Sequence, residues 1–280
     1  MGKALVIKGL KVESPLTSVT FFNPETFLSP YLTANTSINE TEKSALKTFF
    51  NGLFDNNLLS KMRYVYPMLG DNVTDMLVEA MSPATEDLFA NLSSLSGLSV
   101  TNRVLHATIA LGTVLGSFAD TPRFVLTDWR NMGVITATYH NTLSDSTPFN
   151  MQGQNGNNRM RFDNLSSAFT YRPPRLLAGY SGSALSYIPA SADYDERNYL
   201  ERVIFAQWKG DAASIFKEST LYASGVSYAD NMTGLSTYQL LCANDVSNKF
   251  FALCDNMTAS EWATFHGLLI SFLRSVGKHA

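Results

Sequence analysis

Two stretches of the chain repeat their apolar residues at helical spacing, and they lie near opposite ends of it. In INETEKSALKTFFNGLF, Leu46, Phe49, Phe50, Leu53 and Phe54 recur at i, i+3, i+4, i+7 and i+8, which puts them on one face of an α-helix. Asn39 followed by Glu42 has the form of a capping box at its start. In MTASEWATFHGLLISFLRSVGKHA, Thr258 and Glu261 make a second capping box. Trp262, Phe265, Leu269, Phe272, Leu273 and Val276 then keep the helical period up to Gly277, which can close the helix at C′.

Between these helices the pattern changes to period 2. Short runs rich in β-branched and aromatic residues (RFVLTDW, GVITATYH, RMRFDNL, LERVIFAQW, TYQLLCA, KFFALCD) alternate with clusters of Gly, Asn, Asp, Ser and Pro. In GVITATYH, Val134, Thr136 and Thr138 oppose Ile135, Ala137 and Tyr139, the signature of a strand with one wet face. NLLSKM reads as a short helical piece, RYVYPMLG as a strand entering the core, and NVTDMLVEAM fits a third helix or a loop. The expected fold is therefore mainly β: an antiparallel sandwich or barrel with one helix before it and one after, the helices packing together against one end or face.

The start of the chain stands apart from this pattern. MGKALVIKGLKVESPL holds a brief apolar run, Ala4 to Ile7, stopped by Lys8. A secretory core needs about 7–15 continuous apolar residues, so this run is too short for a signal. Val6 occupies the place where a myristoylation motif wants Ser or Thr. The following stretch carries Pro15, Pro24 and Pro30 with little periodicity and is expected to be an extended connector. The predicted division is thus 1–35, an attachment strand and proline-rich connector, and 36–280, a sandwich with flanking helices. Leu5, Val6, Ile7 and Lys8 are the candidate partner-binding residues, Leu5 and Ile7 facing one side and Ala4 and Val6 the other.

Composition narrows the class of function. A 280-residue chain can bury a large core, so its two cysteines need not be staples. Cys242 and Cys254 sit in apolar strand sequences that suit reduced thiols. Net charge is −3, with no basic stripe, which argues against a nucleic-acid partner. No window reaches the roughly 20 apolar residues of a membrane span. The N-x-[ST] triplets at Asn35, Asn39, Asn72, Asn91, Asn164, Asn231 and Asn256 read as the Asn, Ser and Thr of turns and polar strand faces.

Catalytic patterns are missing. Neither a P-loop nor a G-x-G-x-x-G loop is present, and Gly179-Tyr180-Ser181-Gly182-Ser183 has serine where a nucleophile elbow needs its last glycine. His106, His140, His266 and His279 lack metal-ligand spacing, so no metal and no cofactor is expected. The E-x-D-x-x-E arrangement of sandwich glucanases does not occur. Asp193, Asp195 and Glu196 are similar to a fragment of a calcium loop but lack its glycine and distal acid. Trp129 and Trp208 lie near strand ends, where rings serve either the core or a sugar platform, and are the candidate glycan contacts.

Three stretches carry a resemblance. The start Lys3 to Gly9, the E-x-x-A-L-x-x-F-x-x-G-L helix with L-x-x-K-M-x-x-x-Y-P-x-L-G from Glu42 to Gly70, and the T-x-x-E-W-x-x-F helix from Thr258 to Gly277 resemble bacteriophage virion proteins. These are head-fibre or tail-associated proteins of crAss-like and other gut Bacteroidales phages, with a concanavalin A-like lectin or LamG jelly-roll domain. The resemblance implies a jelly-roll sandwich and a structural, non-enzymatic subunit. That subunit would be made in the bacterial cytoplasm and built into the virion as a homo-oligomer, a trimer being favoured, with capsid or tail proteins as partners. It supplies no catalytic residues. A carbohydrate-binding module for host glycans is the alternative, and a glycan-active enzyme a more distant one.

Overall fold

The computed structural model describes residues 22–81, 97–107, 115–117, 131–140, 146–153, 159–167, 170–181, 184–188, 201–210, 212–226, 235–243 and 246–279. The helices are α1 (Pro24–Ala34), α2 (Glu40–Asp55), the single turn α3 (Val73–Met76) and α4 (Ala259–Ser275). The early strands are β1 (Met62–Tyr66), β2 (Leu98–Thr101), β3 (Val104–Ala107), β4 (Leu115–Ser117) and β5 (Asn131–His140). Then come β6 (Ser146–Gly153), β7 (Arg159–Ser167), β8 (Thr170–Ser181), β9 (Ala184–Ile188) and β10 (Glu201–Lys209). β11 (Ala212–Lys217), β12 (Thr220–Val226), β13 (Leu235–Ala243) and β14 (Val246–Asp255) complete the set.

These strands form two antiparallel sheets, one eight-stranded in the order β12-β11-β10-β5-β14-β3-β2 with β1 also on β14, the other six-stranded in the order β4-β13-β6-β7-β8-β9. The chain crosses between sheets at β3 to β4, β4 to β5, β5 to β6, β9 to β10, β12 to β13 and β13 to β14, the connectivity of a jelly-roll-like sandwich. β14 is the centre of the larger sheet: β5 pairs along one edge, while β3 and β1 share the other.

The helices cover the outer face of the eight-stranded sheet. Both predicted capping boxes are present, at Asn39 with Glu42 and at Thr258 with Glu261. Phe49 on α2 is the junction of the layer, its ring 5.9 Å from Phe250 of β14 and 5.8 and 5.2 Å from Phe265 and Phe272 of α4. On the sheet, Ile135, Ala137, Val203, Phe205, Phe216 and Phe250 meet this layer, and alternate residues Val134, Ile204, Ala206, Ile215, Phe251 and Leu253 build a second core on the opposite face. A Cβ on Gly133 would sit 2.4 Å from the Phe205 ring, so the close approach of β5 and β10 side chains requires glycine there.

Three expectations change. The Thr136 and Thr138 face of β5 is not wet, both being buried as fully as Ile135 and Ala137. A period-2 pattern of small polar residues satisfies a sheet covered on both sides as well as a half-exposed one. The extended connector is replaced over its last third by α1. Asn23 caps this helix, Pro24 takes its first position where a missing N–H costs nothing, and Leu28 and Tyr31 are completely buried. An interior proline costs a helix about 3 kcal/mol, and here Pro30 is tolerated because packing of Leu28 and Tyr31 outweighs it. The boundary at 36 accordingly falls inside one core. NVTDMLVEAM gives only the one turn of α3, with Asn72 as N-cap.

Several Asn-x-Ser/Thr triplets prove to be structural. Asn39 and Asn72 are N-caps, Asn35 is a buried C-cap of α1, and Thr258 of the Asn256 triplet caps α4. Cys254 is a free, buried thiol on the helix-facing side, while Cys242 belongs to β13 of the other sheet.

Candidate functional site

Of the sequence-predicted contacts, only Trp208 lies among the described residues. Leu5, Val6, Ile7 and Lys8, Trp129, and Asp193, Asp195 and Glu196 lie outside the described residues. Trp208 is a correction: its ring is fully buried between Met132 and Ala213, its neighbours on the adjoining strands. Ile204, Ala206 and Trp208 share one face of β10 while Val203 and Phe205 share the other, and both faces are covered. A ring on a doubly covered strand goes into the core, so Trp208 is no sugar platform.

The structure offers another place. The α2–α4 layer stops short of one end of the eight-stranded sheet and leaves its outer face open as a cleft of about 530 Å³. Strand register builds the floor: His106 of β3 lies opposite Ser247 of β14, and Ser247 lies opposite Tyr139 of β5, three side chains in one row. Ser247 Oγ and His106 Nδ1 share a hydrogen bond of 3.0 Å. The Lys249 ammonium lies over the Tyr139 ring, 5.6 Å from its centre.

One wall is the β2–β3 hairpin, represented by Thr101, Asn102 and Val104. Its two-residue turn has positive φ at both Asn102 (52°) and Arg103 (59°), the type I′ geometry that matches strand twist. Arginine is a poor residue for the left-handed region. It is held there because Arg103 forks onto Glu42, its Nε donating to Oε1 at 3.0 Å and Nη2 to Oε2, while Nη2 also donates to the Ser37 carbonyl at 2.9 Å. These contacts with Glu42 keep the guanidinium protonated more firmly than usual despite partial burial. Glu42 thus serves twice, as the capping-box acid of α2 and as the anchor of the hairpin.

The opposite wall is the segment after α4. Gly277 has φ +71°, its N–H bonds to the Arg274 carbonyl, and the Lys278 N–H bonds to the Leu273 carbonyl at 2.7 Å. This is the Schellman motif, which turns the residue after the glycine back onto the helix. Lys278 is therefore only 4% exposed, and its Nζ donates to the Met68 carbonyl oxygen. Burial pushes its amine down to about 8, an effect reinforced by Arg103 and Lys249 and opposed by Glu42.

Both walls rest on one polar joint. Asp75 accepts from Ser37 N at 2.8 Å, from Thr36 and from Asn72, and the buried Asn35 amide donates to the Leu69 and Asp75 carbonyls at 3.0 Å. Burial alone would raise the Asp75 carboxyl, but the bonds from Ser37, Asn72 and Thr36 together hold it below the usual range. Gly70 has φ +109°, and a Cβ there would lie 2.7 Å from Ser37 Oγ. Only glycine closes this joint.

Among the described residues, no group of three His, Cys, Asp or Glu side chains is placed to hold a metal ion. His266 is structural, pairing with Glu218 at 2.8 Å beside the Trp262 ring. No described helix is long and apolar enough to cross a membrane. Sequence reasoning passed over His106, Ser247 and Lys249 because strand pairing alone unites them. Lys278 did leave a signal, since a C′ glycine at 277 turns residue 278 inward.

No protein-family model and no curated protein matches this sequence. Among solved structures, it is similar over 80% of its length to 38% of a Trypanosoma rangeli sialidase in complex with the inhibitor DANA, at 11% identity and TM-score 0.47. It covers 58% of itself and 96% of the Ruminococcus gnavus IT-sialidase CBM40 chain, at 11% identity and TM-score 0.41. The binding domain of botulinum neurotoxin DC in complex with SialylT is similar over 75% of this chain and 52% of that one, at 7% identity and TM-score 0.45. The chain spans 28% of the first Trypanosoma rangeli sialidase chain. At these identities no residue role passes from those proteins to this one.

Proposed function

We propose that the protein is a non-catalytic, lectin-like module that binds a host-surface glycan in the cleft beyond the helix layer. It is carried on a phage particle through its N-terminal segment, with Leu5, Val6, Ile7 and Lys8 adding a strand to a partner. The observation that carries the binding half is the cleft itself: a ring, hydroxyls and nitrogen donors converge on an open pocket whose walls are anchored before any ligand arrives. A hydrolytic use of the Ser247–His106 pair has less support, since no described carboxylate orients the other nitrogen of His106.

The particle half is supported by the resemblance to virion proteins. Its stretches from Glu42 to Gly70 and Thr258 to Gly277 hold all but the first two residues of α2, together with β1 and α4. A second reading, a virion subunit with no ligand and trimeric assembly, shares that support.

Retention on a glycan array that is lost in Tyr139→Ala, with unchanged melting, is the expected result. Retention unaffected by Tyr139→Ala would move the site elsewhere. Mass spectrometry of purified particles should find the chain, and its absence from them would remove the virion half.

A further inference from the structure

Lys278 is a basic residue in an unusual place. The Schellman turn at Gly277 swings it inward, so it lines the cleft wall while only 4% of it is exposed. An ammonium carries three N–H donors and wants an acceptor for each. Among the described residues, Nζ has one hydrogen bond, to the Met68 carbonyl, and no ion pair. Glu42, the acid whose charge favours the ammonium, is itself committed to the Arg103 guanidinium and the α2 cap. A buried ammonium left short of acceptors is favoured to shed a proton. Burial accordingly brings this amine down to about 8, with Arg103 and Lys249 adding to the effect.

We propose that Lys278 is a covalent carbonyl-binding site, whose amine condenses with a small aldehyde entering the cleft. The cleft of about 530 Å³ beside it has room for a ligand of several carbons. The Nζ lone pair adds to the carbonyl carbon, a proton passes from nitrogen to the former carbonyl oxygen, and loss of that oxygen as water leaves an imine. Once protonated, the imine keeps one N–H, which the Met68 carbonyl can accept as it accepts the ammonium. Lysines that are desolvated, or that stand beside a second cation, are the ones suited to this chemistry. An ordinary exposed lysine holds its proton at neutral pH and has no lone pair to offer. The proposal concerns this wall residue alone and stands apart from the glycan reading of the floor.

The test treats the full chain at pH 7.5 with glycolaldehyde and cyanoborohydride, which delivers a hydride to the imine carbon and fixes the adduct as a secondary amine. Mass spectrometry of peptides at low conversion then locates the label. At that pH a lysine titrating near 8 has about a hundredfold more neutral amine than an ordinary one. Even with access reduced by burial, Lys278 should be labelled at least about tenfold faster than the exposed Lys209. Its rate should level off above about pH 8 while those of exposed lysines keep rising. In concentrated urea, which unfolds the cleft, the preference should vanish, and Lys278→Arg should remove this one label from a chain that keeps its others. Labelling of Lys278 last, as burial of a purely structural lysine demands, would overturn the proposal, and so would a rate equal to that of Lys209. Retention on the glycan array is a separate readout, so failure here leaves that reading standing.

Discussion

Arg103 shows how a single residue reconciles a strained backbone with a distant carboxylate. Removing it leaves Glu42 buried with half its partners, so Arg103→Met is expected to cost about 3 kcal/mol in urea unfolding. Arg103→Gly loses the same pair but relieves the left-handed turn, and should be about 1 kcal/mol less damaging. Equal losses would mean the turn is unstrained. Lys278 makes a pH prediction. Its folded value of about 8 lies below the ordinary 10.5, so between those limits the unfolded chain binds a proton the folded one has released. Stability from this group therefore rises with pH across that window, by about 3 kcal/mol. Cys254 and Tyr31, both raised chiefly by burial, act in the opposite direction at alkaline pH. The signature is accordingly the difference between wild type and Lys278→Met, measured by urea melts at pH 7.5 and 10.5.

At the scale of elements, α1 is the piece the prolines concealed. Its Leu28 and Tyr31, and Asn35 at its C-cap, are all buried. Deleting residues 1–35 removes all three and should cost upwards of about 4 kcal/mol, since burial of a large apolar side chain is worth several kcal/mol by itself. Equal stability of the truncated and full-length chains would show that α1 is dispensable. The capped helices α2 and α4, in contrast, were readable because a capping box and a 3.6-residue period are contained within one turn or a few. The strands were readable as strands, but neither the covering of β5 on both faces nor the burial of Trp208 could be seen, since the opposite layer lies far along the chain.

For the whole molecule, acid should be the weak side. Asp75 is held low by hydrogen bonds that outweigh its burial, Glu218 likewise through His266 and Val203, and Glu261 first through Lys61 and then through its cap. Each carboxylate has a depressed folded value, so its contribution is complete above the ordinary range near 4 and is lost as pH falls through the folded value. Urea midpoints measured from pH 6 to pH 3 should decline below about pH 5, and a flat profile would show that these contacts carry little stability.

Taken alone, the sequence determined what depends on near neighbours: the two capped amphipathic helices, the β-rich middle, the glycine that ends α4, and the lack of phosphate-loop and elbow motifs. The tertiary structure decided what depends on strands meeting. Tyr139, His106 and Ser247 are joined by register across β5, β14 and β3, and the cleft exists because the helix layer ends before the sheet does. Capping and periodicity are local physics, written within a few residues. A cleft floor assembled by hydrogen-bonded pairing across more than a hundred residues has no local signature.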